Sequence, residues 1–93
     1  MQRFLVFISK ELINFITVAR VKSLTKASEE LYITQSPICR SLKKLEHSLG
    51  LKLFIRSGRG LVLTEDGVIL YSKVISLYSQ LDELERHYKR ERS

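Results

Sequence analysis

One cysteine, Cys39, stands among the 93 residues, so no internal disulfide can form and nothing in the chain calls for an oxidising compartment. Apolar runs are short. The run from Phe4 to Ile8 spans five residues, too few for the core of a signal peptide or for a membrane span. It is expected to be the entry to the first helix or a short strand. Metal-ligand spacing, a phosphate-cradling glycine loop and a carboxylate pair suited to acid–base work are all missing. Cys39 and His47 lie eight residues apart, about 80° around one helix, too far for a nucleophile and its base to share a hydrogen bond. A chain without catalytic residues, metal or cofactor is expected. Residues 34–60 hold a single aromatic, Phe54, patterned as core, so the exposed stacking platforms that single-strand RNA readers use are absent too.

What is present suits one small intracellular module, since 93 residues with 44% apolar content can bury a modest core. Leu12, Phe15, Ile16 and Ala19 follow the i, i+3, i+4, i+7 pattern of an amphipathic helix running to about Arg20. Leu24, Ala27 and Leu31 share one face of a second, short helix. Thr34 is a good N-cap for a third helix, and Pro37 falls in its first turn, where a missing N–H leaves no intrahelical bond unmade. Two helices joined by so few residues must cross steeply, as in a helix-turn-helix. On the third helix Ile38, Leu42, Leu45 and Leu49 make a narrow buried stripe. The opposite face carries Ser36, Arg40, Lys43 and His47, flanked by Cys39 and Lys44, with no acid at its centre.

Charge sets this region apart. The net charge of +6 divides as +2 over residues 1–33, +5 over residues 34–60 (six basic, one acidic) and −1 over residues 61–93 (five basic, six acidic). Such a local excess suits a polyanion, because each phosphate neutralised releases condensed counterions. With the helix-turn-helix order, double-stranded DNA is the expected partner. Gln35 lies where the start of a recognition helix enters the major groove, and its amide can pair with adenine as arginine pairs with guanine, which fits Arg40. Ser36 permits close approach, Pro37 offers an apolar ring to a thymine methyl, and Thr25, Lys26 and Lys43 can anchor phosphates.

Gly50 is placed to end the third helix in the left-handed conformation, and Leu51, Leu53 and Phe54 are expected to return to the core. Ser57-Gly58-Arg59-Gly60 is a turn cluster between two short extended runs, so Arg56 and Arg59 sit on a small hairpin resembling a wing. Arginine there can meet phosphate or enter the minor groove. Thr64 then caps a helix with Glu65 and Asp66 in its first turn, where the dipole favours acids. Along it Leu70, Val74, Leu77, Leu81, Leu84 and Tyr88 are spaced 4, 3, 4, 3 and 4, a coiled-coil seam. A helix from Thr64 to about Arg86 is roughly 33 Å long and outruns a body of roughly 27 Å. Leu81, Leu84 and Tyr88 therefore call for a second copy of the helix, which makes it a dimerisation arm.

The run from Leu12 to about Tyr88, and above all ASEELYITQSPICRSLKKLEHSLGLKLF followed by Arg56, Arg59 and LVLTEDG, resembles the DNA-binding domain and linker helix of LysR-type transcriptional regulators of bacteria. The resemblance implies a mainly α fold: a winged helix-turn-helix, with a three-helix core and a β-hairpin wing, over residues 1–63, and a long linker and dimerisation helix over residues 64–93. It implies base reading by Gln35, Ser36 and Pro37 with Arg40 one turn later, a wing arginine at Arg56 or Arg59, and a cytoplasmic, nucleoid-associated protein. Cys39 stands where the family usually has a serine that bonds DNA, and a thiol is a weak donor. Family members continue into a two-lobed inducer-binding domain, whereas this sequence stops at Ser93. It is therefore read either as a fragment or as a short member, and no small-molecule inducer is expected for it. Two functions follow: sequence-specific DNA binding as a homodimer on an interrupted inverted repeat, or a short module that pairs with and modulates a full-length regulator. The retained Gln35, Arg40 and wing arginines favour the first.

Overall fold

The structure, a computed structural model, describes residues 9–58 and 60–92, the last three of these by backbone alone. The Phe4–Ile8 run and Arg59 lie outside the described residues. Helix α1 (Lys10–Val21) starts at Ser9, whose hydroxyl accepts from the Leu12 N–H at 3.2 Å, and ends at Lys22, left-handed at φ 58°. It buries Phe15, Val18 and Ala19. Two polar side chains on the same face are answered within the protein. Asn14 Nδ2 donates to Ser41 Oγ on the third helix at 2.9 Å, and Thr17 Oγ1 donates to the Ile13 carbonyl at 2.9 Å. Both bonds offset the cost of taking a polar group out of water.

Helix α2 (Leu24–Leu31) is capped by Ser23 Oγ, which accepts from the Lys26 N–H at 3.1 Å. Tyr32 closes it in a left-handed conformation, φ 60°, and the Ile33 N–H reaches back to the Ser28 carbonyl at 3.2 Å. The turn delivers the chain into α3 (Gln35–Leu49). Thr34 takes the N-cap backbone position there, yet its hydroxyl makes no capping bond. An N-cap oxygen accepts from the second or third helical N–H, and Pro37, in the third place, removes one of these two donors. Gly50 ends α3 at φ 68°, the left-handed C-cap expected of it.

Strands β1 (Phe54–Ser57) and β2 (Gly60–Leu63) pair antiparallel with Phe54 opposite Leu63 and Ser57 opposite Gly60, leaving a two-residue connection. Phe54 and Leu61 face inward while Ile55 and Val62, a cross-strand pair, stay exposed. Helix α4 (Glu65–Arg92) follows; its 28 residues give about 42 Å at the usual rise. Thr64 Oγ1 accepts from the Gly67 N–H at 3.0 Å. Gly67 is required where it stands, because a Cβ there would lie 2.3 Å from the Leu53 carbonyl oxygen.

One core joins these pieces: α1 packs against α2 and α3, with the inner face of the hairpin and the first turns of α4 closing over it. Phe15 stands at its centre, edge-on to Phe54 (ring centroids 5.6 Å apart) and to Tyr71 (6.3 Å). The expected mainly α winged helix-turn-helix with its long final helix is what the chain forms.

The burial of Leu49 and Leu51 and the end of the last helix differ from expectation. Leu49 is 45% exposed and Leu51 40% exposed, since both flank Gly50, where the chain turns outward at the foot of α3, beyond the reach of the core. Helix α4 continues past Arg86 to Arg92. No glycine or proline follows Gly67 to stop it, the i, i+4 pair Asp82–Arg86 reaches the expected end and Glu85–Lys89 runs across it. Along the arm, Leu70 packs on the core and Val74 is 8% exposed, so the first two seam residues are engaged within the chain.

Candidate nucleic-acid interface

The short turn at Tyr32–Thr34 leads into the first turn of α3, where Gln35 and Ser36 are exposed and Pro37 is half-buried. Gln35 does not hang free: its Nε2 donates to Thr25 Oγ1 at 3.2 Å, tying the head of α3 to the head of α2. Thr25 Oγ–H remains able to donate outward, as a phosphate anchor must. Lys26 is exposed beside it.

Further along α3, Arg40 about one turn on and Lys43 about two are exposed and have no ion-pair partner among the described residues. Their neighbours behave differently. Lys44 Nζ lies 3.7 Å from a Glu11 carboxylate oxygen, and Lys52 lies 3.9 Å from Glu46. Arg20 pairs with Glu30. The outward face of α3 therefore keeps its cations available, while those to the side are already answered.

The wing completes the surface. Arg56 shares a strand face with Phe54 but projects beyond the core. It lines two grooves at once. One runs past Lys22, Thr25, Gln35 and Gly60; the other lies between α3 and the wing, bordered by Cys39, Lys43, Glu46 and Ile55. Arg56 is thus the junction between the head of the recognition helix and its flank. Gly60 permits this closeness, since a Cβ there would come within 2.9 Å of the Lys22 carbonyl oxygen.

Two residues of this surface escaped the sequence pattern. Lys22 borders the Gln35–Arg56 groove only because it adopts a left-handed conformation unusual for lysine, which local patterning does not announce. Glu46 was signalled, as the single acid of residues 34–60, but its partners appear only once the chain has turned at Gly50. Among the described residues no group of three or more His, Cys, Asp or Glu could hold a metal, and no helix is long and apolar enough to cross a membrane.

Two helices joined by a short turn, a basic exposed face on the second and a hairpin arginine beside it define a winged-helix DNA-binding domain. The sequence pattern of the bacterial regulatory helix-turn-helix proteins of the lysR family matches residues 9–68. The chain belongs to that family and carries the DNA-binding domain of one of its transcriptional regulators. It is 44% identical over 72 residues to the glycine cleavage system transcriptional activator of Escherichia coli strain K12, a match covering 77% of this chain and 24% of that protein. The chain spans about a quarter of the length of the curated relatives it matches. Among solved structures it is similar to the BenM DNA-binding domain in its benA site 1 DNA complex, with TM-score 0.83, 34% identity, and 90% and 94% of the two chains covered. It is also similar to the CbnR DNA-binding domain in complex with DNA, with TM-score 0.70, 31% identity, and 84% and 93% covered. The first of these relatives is a transcriptional activator, and the other two are DNA-binding domains solved on DNA.

Proposed function

We propose that the chain binds double-stranded DNA sequence-specifically as a homodimer, with residues 1–63 as the reading domain and residues 64–93 as the pairing arm. The observation that carries this reading is a cation-rich surface about Gln35: Arg40, Lys43 and Arg56 are exposed and have no ion-pair partner among the described residues, and Arg56 shares a groove with Gln35. Gln35, Ser36, Pro37 and Arg40 read base edges, Thr25, Lys26 and Lys43 hold phosphates, and Arg56 with Arg59 reaches phosphate or minor groove. The two relatives solved with DNA support a duplex as the ligand.

The arm supplies the second copy. Leu77 is 58% exposed, Leu84 51% and Tyr88 58%, with Leu81 half-buried between them. Apolar side chains repeated along one helix stripe favour a like helix. Two reading heads held by a twofold axis select an interrupted inverted repeat. The test is selection from a random duplex library together with sedimentation of the chain at micromolar concentration. An inverted repeat bound by a dimer is expected; a monomer, or a dimer without duplex preference that pairs instead with a longer regulator, would overturn it.

A further inference from the structure

The wing is too small to hold its own position. Two four-residue strands make a hairpin of the kind that is marginal in isolation. Phe54 and Leu61 seat its inner face on the core. What fixes the foot of β1 along the recognition helix is polar. Glu46 Oε2 accepts from the Leu53 N–H at 2.8 Å and from the Phe54 N–H at 3.2 Å, with a side chain only 14% exposed. From the other side Thr64 donates its hydroxyl to the Lys52 carbonyl at 2.6 Å and its N–H to the Leu53 carbonyl at 2.9 Å. Residues 52–54 are therefore gripped on their donors by α3 and on their acceptors by the head of α4. Arg56 follows two residues later.

A carboxylate in the most basic stretch of the chain, bordering the groove that Lys43 and Arg56 line, opposes an incoming phosphate. Its place is explained by what it holds. We propose that Glu46 is the positioning residue of the wing: by gripping the Leu53 and Phe54 amides it sets the distance from the recognition helix at which Arg56 meets DNA. This rests on the DNA-binding reading of Arg56 given above.

Both amide bonds run to one oxygen, so glutamine, whose amide oxygen has two lone pairs, can accept both, while aspartate is a methylene too short. Glu46→Gln is expected to bind the duplex selected by the parent chain at least as tightly as the parent. Glu46→Asp and Glu46→Ala should bind about ten-fold more weakly, with helix content unchanged. Arg56→Ala should weaken the parent by about ten-fold yet cost less than about two-fold on top of Glu46→Ala, because a misplaced wing has little left to lose. Equal losses from Arg56→Ala in both backgrounds, or Glu46→Gln behaving like Glu46→Ala, would overturn the proposal. No effect of Arg56→Ala in the parent would remove the wing from the DNA-binding reading, and hydrogen exchange then judges Glu46 alone. Leu53 and Phe54 amides exchanging faster in Glu46→Ala than in Glu46→Gln support the grip; equal protection in both sinks it.

Discussion

The body of the chain and the outer half of its last helix leave opposite things unsatisfied. In the body, apolar stripes are buried and even the polar Asn14 and Thr17 find partners inside, while Arg40, Lys43 and Arg56 are left outward without an ion pair among the described residues. Beyond Val74 the order reverses. There the charges answer each other along the helix, Asp82 with Arg86 and Glu85 with Lys89, and the apolar Leu77, Leu84 and Tyr88 stand in solvent. A surface short of anions fits a polyanion, and a helix short of apolar cover fits another helix. One chain thus advertises two different partners from its two ends.

Breaking the body should produce the largest effect. Phe15 is fully buried and touches the rings of both β1 and α4, so Phe15→Ala removes the contact on which all three layers meet. A loss of about 3 to 5 kcal/mol is expected, a large part of what a small domain possesses. Urea unfolding measures it, and an unchanged midpoint would mean that the core is organised elsewhere. The next largest effect should come from the arm without disturbing the body. Leu77→Glu with Leu84→Glu alters two side chains already exposed in the single chain, so a folded monomer is expected. Its affinity for an inverted repeat should fall by about 100-fold as the linked second contact disappears. Sedimentation and a duplex titration decide; a variant that remains dimeric would place the pairing surface off this stripe.

The comparison was largely visible in the sequence, and its failures have a common cause. Periodicity found the buried faces of Phe15, Ala19, Ala27, Ile38 and Leu42, because in these a helix lies flat against the core along its length. It misjudged Leu49 and Leu51, where a helix leaves the core, since periodicity says which face a residue occupies and nothing of how far the core extends. The same limit applies on α4: Leu70 packs on the core and Val74 is buried, while Leu77 and Leu84, on the same 4, 3 spacing, stay exposed. Chemistry that depends on distant segments meeting was not legible. The Thr25–Gln35 and Glu46–Leu53 bonds join residues on separate elements, and Lys22 enters the surface through its backbone conformation alone.

Within the body, a sharper test separates the proposed base readers from the proposed phosphate holders. Gln35→Ala should weaken binding to the selected duplex by about 1 to 3 kcal/mol and flatten the preference at particular base pairs. Thr25→Val removes the acceptor of the Gln35 amide and should flatten the same positions more mildly, whereas Thr25→Ser keeps the hydroxyl and should preserve them. Repeating the library selection with each variant is the measurement. Undiminished preference in the Gln35 variant would remove that residue from base reading.

The smallest effect offers the finest test of why unpaired cations matter. Lys43 and Lys44 are adjacent, exposed and chemically identical, and differ in that Lys44 lies 3.7 Å from a Glu11 carboxylate oxygen while Lys43 has no such partner among the described residues. If the body's outward cations displace counterions from DNA, Lys43→Ala should weaken all duplexes alike and lower the slope of log affinity against log salt by about one. Lys44→Ala should change that slope by less than about half as much, because its charge is already partly neutralised by the protein and faces away from the groove that Lys43 lines. Salt titrations on a random-sequence duplex isolate this term from base reading. Equal slope changes for the two lysines would mean that the duplex lies across the side of α3 as well as its outward face, and the contrast between paired and unpaired cations would lose its meaning for binding.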